Sequence, residues 1–148
     1  MIVLDENLLG LRLNNPIAVW YAGRVCYVTD LRPGTVIKDE AIPQVLQQLK
    51  GATFVTTNVA DFWRHAPAHA RYGIVCLSLP NERLREVPEL RRRLLRLPEF
   101  TTKATRMGKV VRVGRRQIQY YAAGDNRVYT LTWQGSKLPP PPGVTRRI

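Results

Sequence analysis

The chain has 148 residues, a length that suits one domain. Hydrophobic residues make up 45 %, enough for a packed core and too many for a disordered polyelectrolyte. Lys and Arg total 23 against 11 Asp and Glu, a net charge of +12, which favours a polyanionic partner whose counterions are released on binding. Solubility alone is the plain alternative for such a charge, and no basic amphipathic helix with an aromatic face speaks for a membrane surface. The opening Ile2-Val3-Leu4 leaves no room for a signal peptide, and no apolar run nears the length of a membrane span. Cys26 and Cys76 both lie in apolar, strand-like runs that suit buried free thiols, so a reducing cytoplasm is the expected compartment.

In chain order, Ile2 to Leu4 reads as a strand, Asp5-Glu6-Asn7 as a turn, and Leu8 to Leu13 as a short helix closed by Asn14-Asn15-Pro16. Val25 to Val28 is a second strand ending at Thr29-Asp30, and Pro33-Gly34 marks a loop. Ile42, Val45, Leu46 and Leu49 recur at helical spacing before Gly51, a suitable terminator. Thr53 to Thr56 and Ile74 to Leu79 are strands three and four, and the segment from Asp61 to Arg71 between them is helical until Pro67 breaks it. Val87, Leu90, Leu94 and Leu97 share one face of the next helix, with Pro88 in its first turn. After Met107-Gly108, strands at Val110–Val113, Gln117–Tyr121 and Val128–Trp133 follow, joined at Gly114 and Gly124-Asp125-Asn126. The alternation predicts an α/β fold with a mainly parallel sheet over residues 1–98, antiparallel strands in a 99–138 extension of the same domain, and a Pro-rich, basic tail over 139–148.

Ligands of open α/β sheets bind outside the carboxyl ends of the strands. Asp5 and Glu6 follow strand one, Asp30 follows strand two, and Asn58 and Asp61 follow strand three, while Asp39 and Glu40 open the intervening helix. Any one of Asp5, Asp39 and Asp61 is explained as a helix cap. Caps, however, would be spread over all helices, whereas these acids gather at one edge. A set of carboxylates without nearby His or Cys suits Mg²⁺ or Mn²⁺ rather than zinc, and such an ion activates water against a phosphodiester.

Ile2-Val3-Leu4-Asp5-Glu6-Asn7-Leu8-Leu9 resembles the opening of the PIN-domain superfamily, an apolar strand followed by D-x-N-x-L. Thr56-Thr57-Asn58-Val59-Ala60-Asp61-Phe62 matches the T-x-N-x-x-D-F signature of that superfamily, and Asp39 with Ile42 looks like its D-x-x-I segment. Only residues 6–38 separate Asp5 from Asp39, so the usual helical hairpin is missing and the chain looks most like a shortened, stand-alone bacterial PIN-like branch. The resemblance implies a Rossmann-like three-layer α/β/α sandwich and, as in VapC-type toxins, an Mg²⁺- or Mn²⁺-dependent endoribonuclease. Asp5, Asp39 and Asp61 would be its catalytic, metal-holding acids, supported by Asn7, Asn58 and Thr56. Glu6, Asp30 and Glu40 are the candidates for a further acid. A small antitoxin protein and a second copy of the chain are the implied partners.

Arg91, Arg92, Arg93 and Arg96, and separately Arg115 and Arg116, are candidates for an RNA-facing surface, with a solvated face as the alternative for the helical run. His65 and His69 stand at a chelating spacing, but Pro67 lies between them, so an incidental pair is expected. Two other functions remain open: a catalytically weak PIN-like RNA-binding module, and an assembly subunit whose antiparallel strands pair with a partner's edge.

Overall fold

The computed structural model describes residues 1–8, 21, 23–32, 34, 36–49, 51–79 and 86–133. The side chains of Pro88, Leu90, Arg91 and Asn126 lie outside that description, as do the expected helix beyond Leu8 and the tail. The described residues form an α/β fold around a seven-stranded, mostly parallel sheet of order β2-β1-β3-β4-β5-β6-β7. Its strands are β1 Ile2–Leu4, β2 Val25–Tyr27, β3 Ala52–Thr56, β4 Tyr72–Leu77, β5 Lys109–Val113, β6 Gln117–Ala122 and β7 Asp125–Thr132. The helices are short: α1 Val28–Leu31, α2 Ile42–Gln47, α3 Val59–Phe62, α4 Val87–Leu95 and α5 Lys103–Arg106.

β3 and β4 are buried along their whole length, as strands covered on both faces must be. Alternate residues feed two separate cores. Ile2, Leu4, Val55, Val75 and Val111 join Val87 and Leu94 of α4 in one. Val3, Phe54, Ile74, Cys76 and Val110 join Ile42, Val45 and Leu46 of α2 and Phe62 of α3 in the other. Because side chains alternate across a strand, the two cores lie on opposite faces of the sheet. A fully buried leucine such as Leu46 contributes roughly 1.5–3 kcal/mol. Cys26 and Cys76 are free and buried, as expected, and burial pushes the Cys76 thiol up to about 12.

Several element boundaries differ from the sequence expectation. The second strand stops at Tyr27, one residue short, because the Asp30 carboxylate accepts the Tyr27 N–H at 2.9 Å and turns Val28 into the first residue of α1. β4 begins at Tyr72 rather than Ile74 and ends at Leu77, and β3 begins at Ala52, since Ala52 and Thr53 pair with Tyr72 and Gly73. Gly73 is a required glycine there: a Cβ would come within 2.8 Å of the Arg106 carbonyl. The helix expected from Asp61 forms earlier, at Val59, and ends before Pro67, where Arg64 adopts a positive φ of 68°. β7 starts at Asp125, because Ala122 pairs with Asp125 and leaves only Ala123-Gly124 in the turn, with Gly124 at φ 78°. The helix α5, capped by the Thr102 hydroxyl accepting from Thr105 N–H, has no counterpart in the expected elements.

The largest correction concerns the last third. The β5–β6 and β6–β7 pairs are antiparallel, as expected, but β5 itself runs parallel to β4, pairing Ile74 with Val110 and Leu77 with Val113. A helix-bearing crossover through α4 returns the chain to the same end of the sheet, so the next strand enters in the same direction.

Candidate functional site

The chain passes from β1 outward to β2 and then returns across β1 to β3. This reversal is a topological switch point, and it opens a crevice between the segments leaving β1 and β3. Register decides what lines it. Leu4 pairs with Val55, and Asp5 N–H donates to the Val55 carbonyl at 2.9 Å, so Asp5 emerges beside Thr56.

Asp5 is 2 % exposed and is held on both oxygens. The Thr56 hydroxyl donates to Oδ2 at 2.6 Å, and the Glu6 N–H donates to Oδ1 at 2.8 Å. The same Thr56 oxygen accepts the Asn58 N–H at 2.9 Å. The Asn58 side-chain amide then donates to Asp61 Oδ2 at 2.7 Å and to Asp39 Oδ2 at 3.2 Å. Asn7 donates to the Thr57 hydroxyl at 2.8 Å, tying the turn after β1 to the segment that leaves β3. The three acids and Asn7, Thr56 and Asn58 are thus joined by three segments: the turn after β1, a 3-10 turn Asp39–Ala41 before α2, and the start of α3.

The electrostatics are those of a site short of positive charge. Burial raises the Asp5 pKa most, opposed by the Thr56 and Glu6 hydrogen bonds and reinforced by the charges of Glu6 and Asp61. Asp39 is raised to about 6, by desolvation first and then by Asp5, Asp61 and Glu6. A folded-state pKa above the unfolded value means that the fold holds this proton more tightly. Stability from Asp39 is therefore greatest below pH about 4 and is lost as pH rises through about 6. Urea unfolding from pH 4.5 to 7.5 is expected to show this loss, on the order of 1 kcal/mol after solvent screening, and Asp39→Asn should flatten it. An unchanged slope in the variant would show that Asp39 carries no such strain.

The candidates for a further acid separate. Glu6 is exposed and couples to Asp5 and Asp39. Glu40 lines one pocket of about 300 Å³ with Asp39, Asp61 and His65, at the 3-10 turn that precedes α2. Asp30 is engaged by the Tyr27 N–H at the start of α1. His65 thus belongs to the acidic pocket, whereas His69 stacks on Tyr72 with its Nδ1 accepting the Arg71 N–H. The helix that would set the two histidines at a chelating spacing ends at Phe62, before either of them. Among the described residues no three His, Cys, Asp or Glu groups converge at ligating geometry; the Asn58 amide is what bridges Asp39 and Asp61. The donor set itself is all oxygen, and its mutual repulsion is what a hard divalent cation would relieve, so Mg²⁺ or Mn²⁺ fits by chemistry.

Of the basic candidates, Arg92, Arg93, Arg96, Arg115 and Arg116 are exposed, and the Arg91 side chain lies outside the described residues. Sequence reading missed Thr57, whose hydroxyl anchors Asn7, and Trp133, over which the Arg93 guanidinium lies at 4.4 Å. Thr57 falls on a variable position of the T-x-N-x-x-D-F run, and Trp133 has no neighbouring signal, so neither was marked by a motif. No helix of the described residues is long and apolar enough to cross a membrane. No protein-family model, curated protein or solved structure matches this chain.

Proposed function

We propose that this chain is a PIN-like, metal-dependent endoribonuclease that hydrolyses RNA phosphodiester bonds at the carboxyl edge of its sheet. The observation that carries the reading is the single hydrogen-bond network that holds Asp5, Asp39 and Asp61 together at the switch point. In this reading the two cores are the contacts of a Rossmann-like three-layer α/β/α sandwich. Asp5, Asp39 and Asp61 would hold Mg²⁺ or Mn²⁺, which when bound polarises a phosphate and lowers the pKa of a coordinated water. The chain's own work is positioning. Thr56 fixes the buried Asp5, and Asn58 sets the spacing of the two outer carboxylates. Glu40 and His65 complete the pocket rim, where an imidazole can pass a proton to or from the reacting strand. The exposed arginines hold the polyanion against an otherwise repulsive acidic site.

The function extends to the toxin of a toxin–antitoxin pair acting in the cytoplasm. A small antitoxin or a second copy of the chain would add to the outer strands β2 or β7, each of which has one neighbour in the sheet among the described residues. The test is cleavage of a mixed RNA pool by purified protein with Mn²⁺, Mg²⁺ or EDTA, beside Asp5→Asn. Cleavage that needs metal and is lost in the variant is expected; cleavage unaffected by the variant would overturn the assignment.

A second reading, a catalytically weak RNA-binding module, is favoured by the Asn58 amide, which already offers N–H groups to two of the acids. It requires RNA binding that falls steeply with salt and no cleavage with any metal.

A further inference from the structure

Two basic clusters that are far apart in sequence meet at one aromatic ring. The Arg93 guanidinium of α4 lies over the Trp133 indole, 4.4 Å from its centroid. Trp133 is packed against the core on the α4 side of the sheet. Its Nε1–H donates to the carbonyls of Gly114 at 3.2 Å and Arg115 at 2.9 Å, which pins the ring to the β5–β6 turn. Arg115 and Arg116 are exposed on that turn, and Arg92 and Arg96 are exposed on the helix. The turn leaves from Val113, whose carbonyl accepts the Ser78 N–H at the carboxyl end of β4. It therefore stands on the same sheet edge as the acids. Two inter-strand spacings, roughly 10 Å, separate β5 from β3.

We infer that the Arg93–Trp133 stack is a binding subsite for single-stranded nucleic acid, taking one unpaired base on the outer guanidinium plane while Arg115 and Arg116 hold adjacent phosphates. This rests on the acid cluster as the cutting site only for the direction in which the strand runs. The physical argument is preorganisation. An exposed arginine ordinarily loses rotamer freedom when it binds, whereas the indole face already holds this guanidinium in place. Among the described residues no hydrogen bond engages its N–H groups, so the plane and the fork remain usable together. A duplex keeps its bases stacked inside and can meet only the charges. The subsite thus names the substrate class as single-stranded, and it adds Trp133 to the residues that determine binding.

The test uses full-length protein in EDTA, so that binding is read without cutting. Anisotropy is measured with labelled oligouridylate, an abasic strand of equal length, and a duplex. Arg93→Gln and Trp133→Leu are each expected to weaken the single strand about tenfold, while Trp133→Phe retains most of the affinity. Binding of the abasic strand and the duplex should change far less. Equal losses on all three ligands, or no loss in Arg93→Gln, would overturn the subsite; Arg93 is exposed, so that variant decides even if Trp133→Leu does not fold. The two readings fail separately. Cleavage retained in Asp61→Asn with base-dependent binding lost in Arg93→Gln removes the cutting assignment and keeps the subsite; the opposite pattern does the reverse.

Discussion

Asp39→Asn and Asp61→Asn are each expected to lower metal-dependent RNA cleavage by about a hundredfold or more while making the protein more stable at neutral pH. Loss of groups that merely orient metal ligands already costs roughly 10- to 100-fold, so loss of a ligand should cost at least the upper figure. The stability gain follows from the charge arrangement. Asp39 is raised to about 6 by desolvation and by Asp5, Asp61 and Glu6, so removing either outer charge relieves repulsion that the fold now sustains. On the order of 1 kcal/mol is expected after solvent screening, a rise of about 3 °C in Tm for a chain of this size. Mn²⁺ should raise the Tm of the parent protein at pH 7.5 and do so much less below pH 6, where protons compete for Asp39. Calorimetry with and without Mn²⁺, beside the cleavage assay, checks both. A lower Tm in the amide variants would mean that these acids serve as structural caps, and unchanged cleavage would remove them from the site.

Thr56→Val is expected to damage fold and activity together. Thr56 is fully buried, donates to Asp5 at 2.6 Å and accepts from Asn58 N–H at 2.9 Å. Valine keeps the shape but leaves a buried carboxylate oxygen and a backbone N–H without this partner. That costs about 2 kcal/mol or more of stability, measured by denaturant unfolding. Losing the hydroxyl also removes the hydrogen bond that offsets the burial of Asp5, so its pKa moves further up and its charged form becomes scarcer at neutral pH. Cleavage should fall 10- to 100-fold, and the pH at which metal binding is half lost should move upward. Thr56→Ser restores the donor and should recover most of both effects. A serine variant as impaired as the valine one would place the cause in methyl packing and not in the hydroxyl.

Motif and register contributed differently to the site. Asp5, Asp39, Asn58 and Asp61 were legible because each follows a strand or opens a helix where polar residues interrupt an apolar run, and Asn7 and Thr56 because they stand in the motifs that carry the family resemblance. Their direct connection was not. Asn58 joins Asp39 and Asp61 through one amide, and that depends on the 3-10 turn at Asp39–Ala41 standing opposite the start of α3. Nor was it legible that Glu40, directly after Asp39 in the chain, lines the same pocket as Asp39, Asp61 and His65.

The sequence by itself determined the α/β class, the central apolar strands, the free buried cysteines and the gathering of acids in the first 61 residues. Local physics suffices there: continuous apolar runs need burial on both faces, and glycine and asparagine punctuate them. Tertiary structure decided the parallel direction of β5, the placing of His65 on the pocket shared with Asp39 and Asp61, and the meeting of Arg93 with Trp133. Those depend on which strands become neighbours and in what register. Pairing is settled by the packing of the whole sheet, and no window of local sequence contains it.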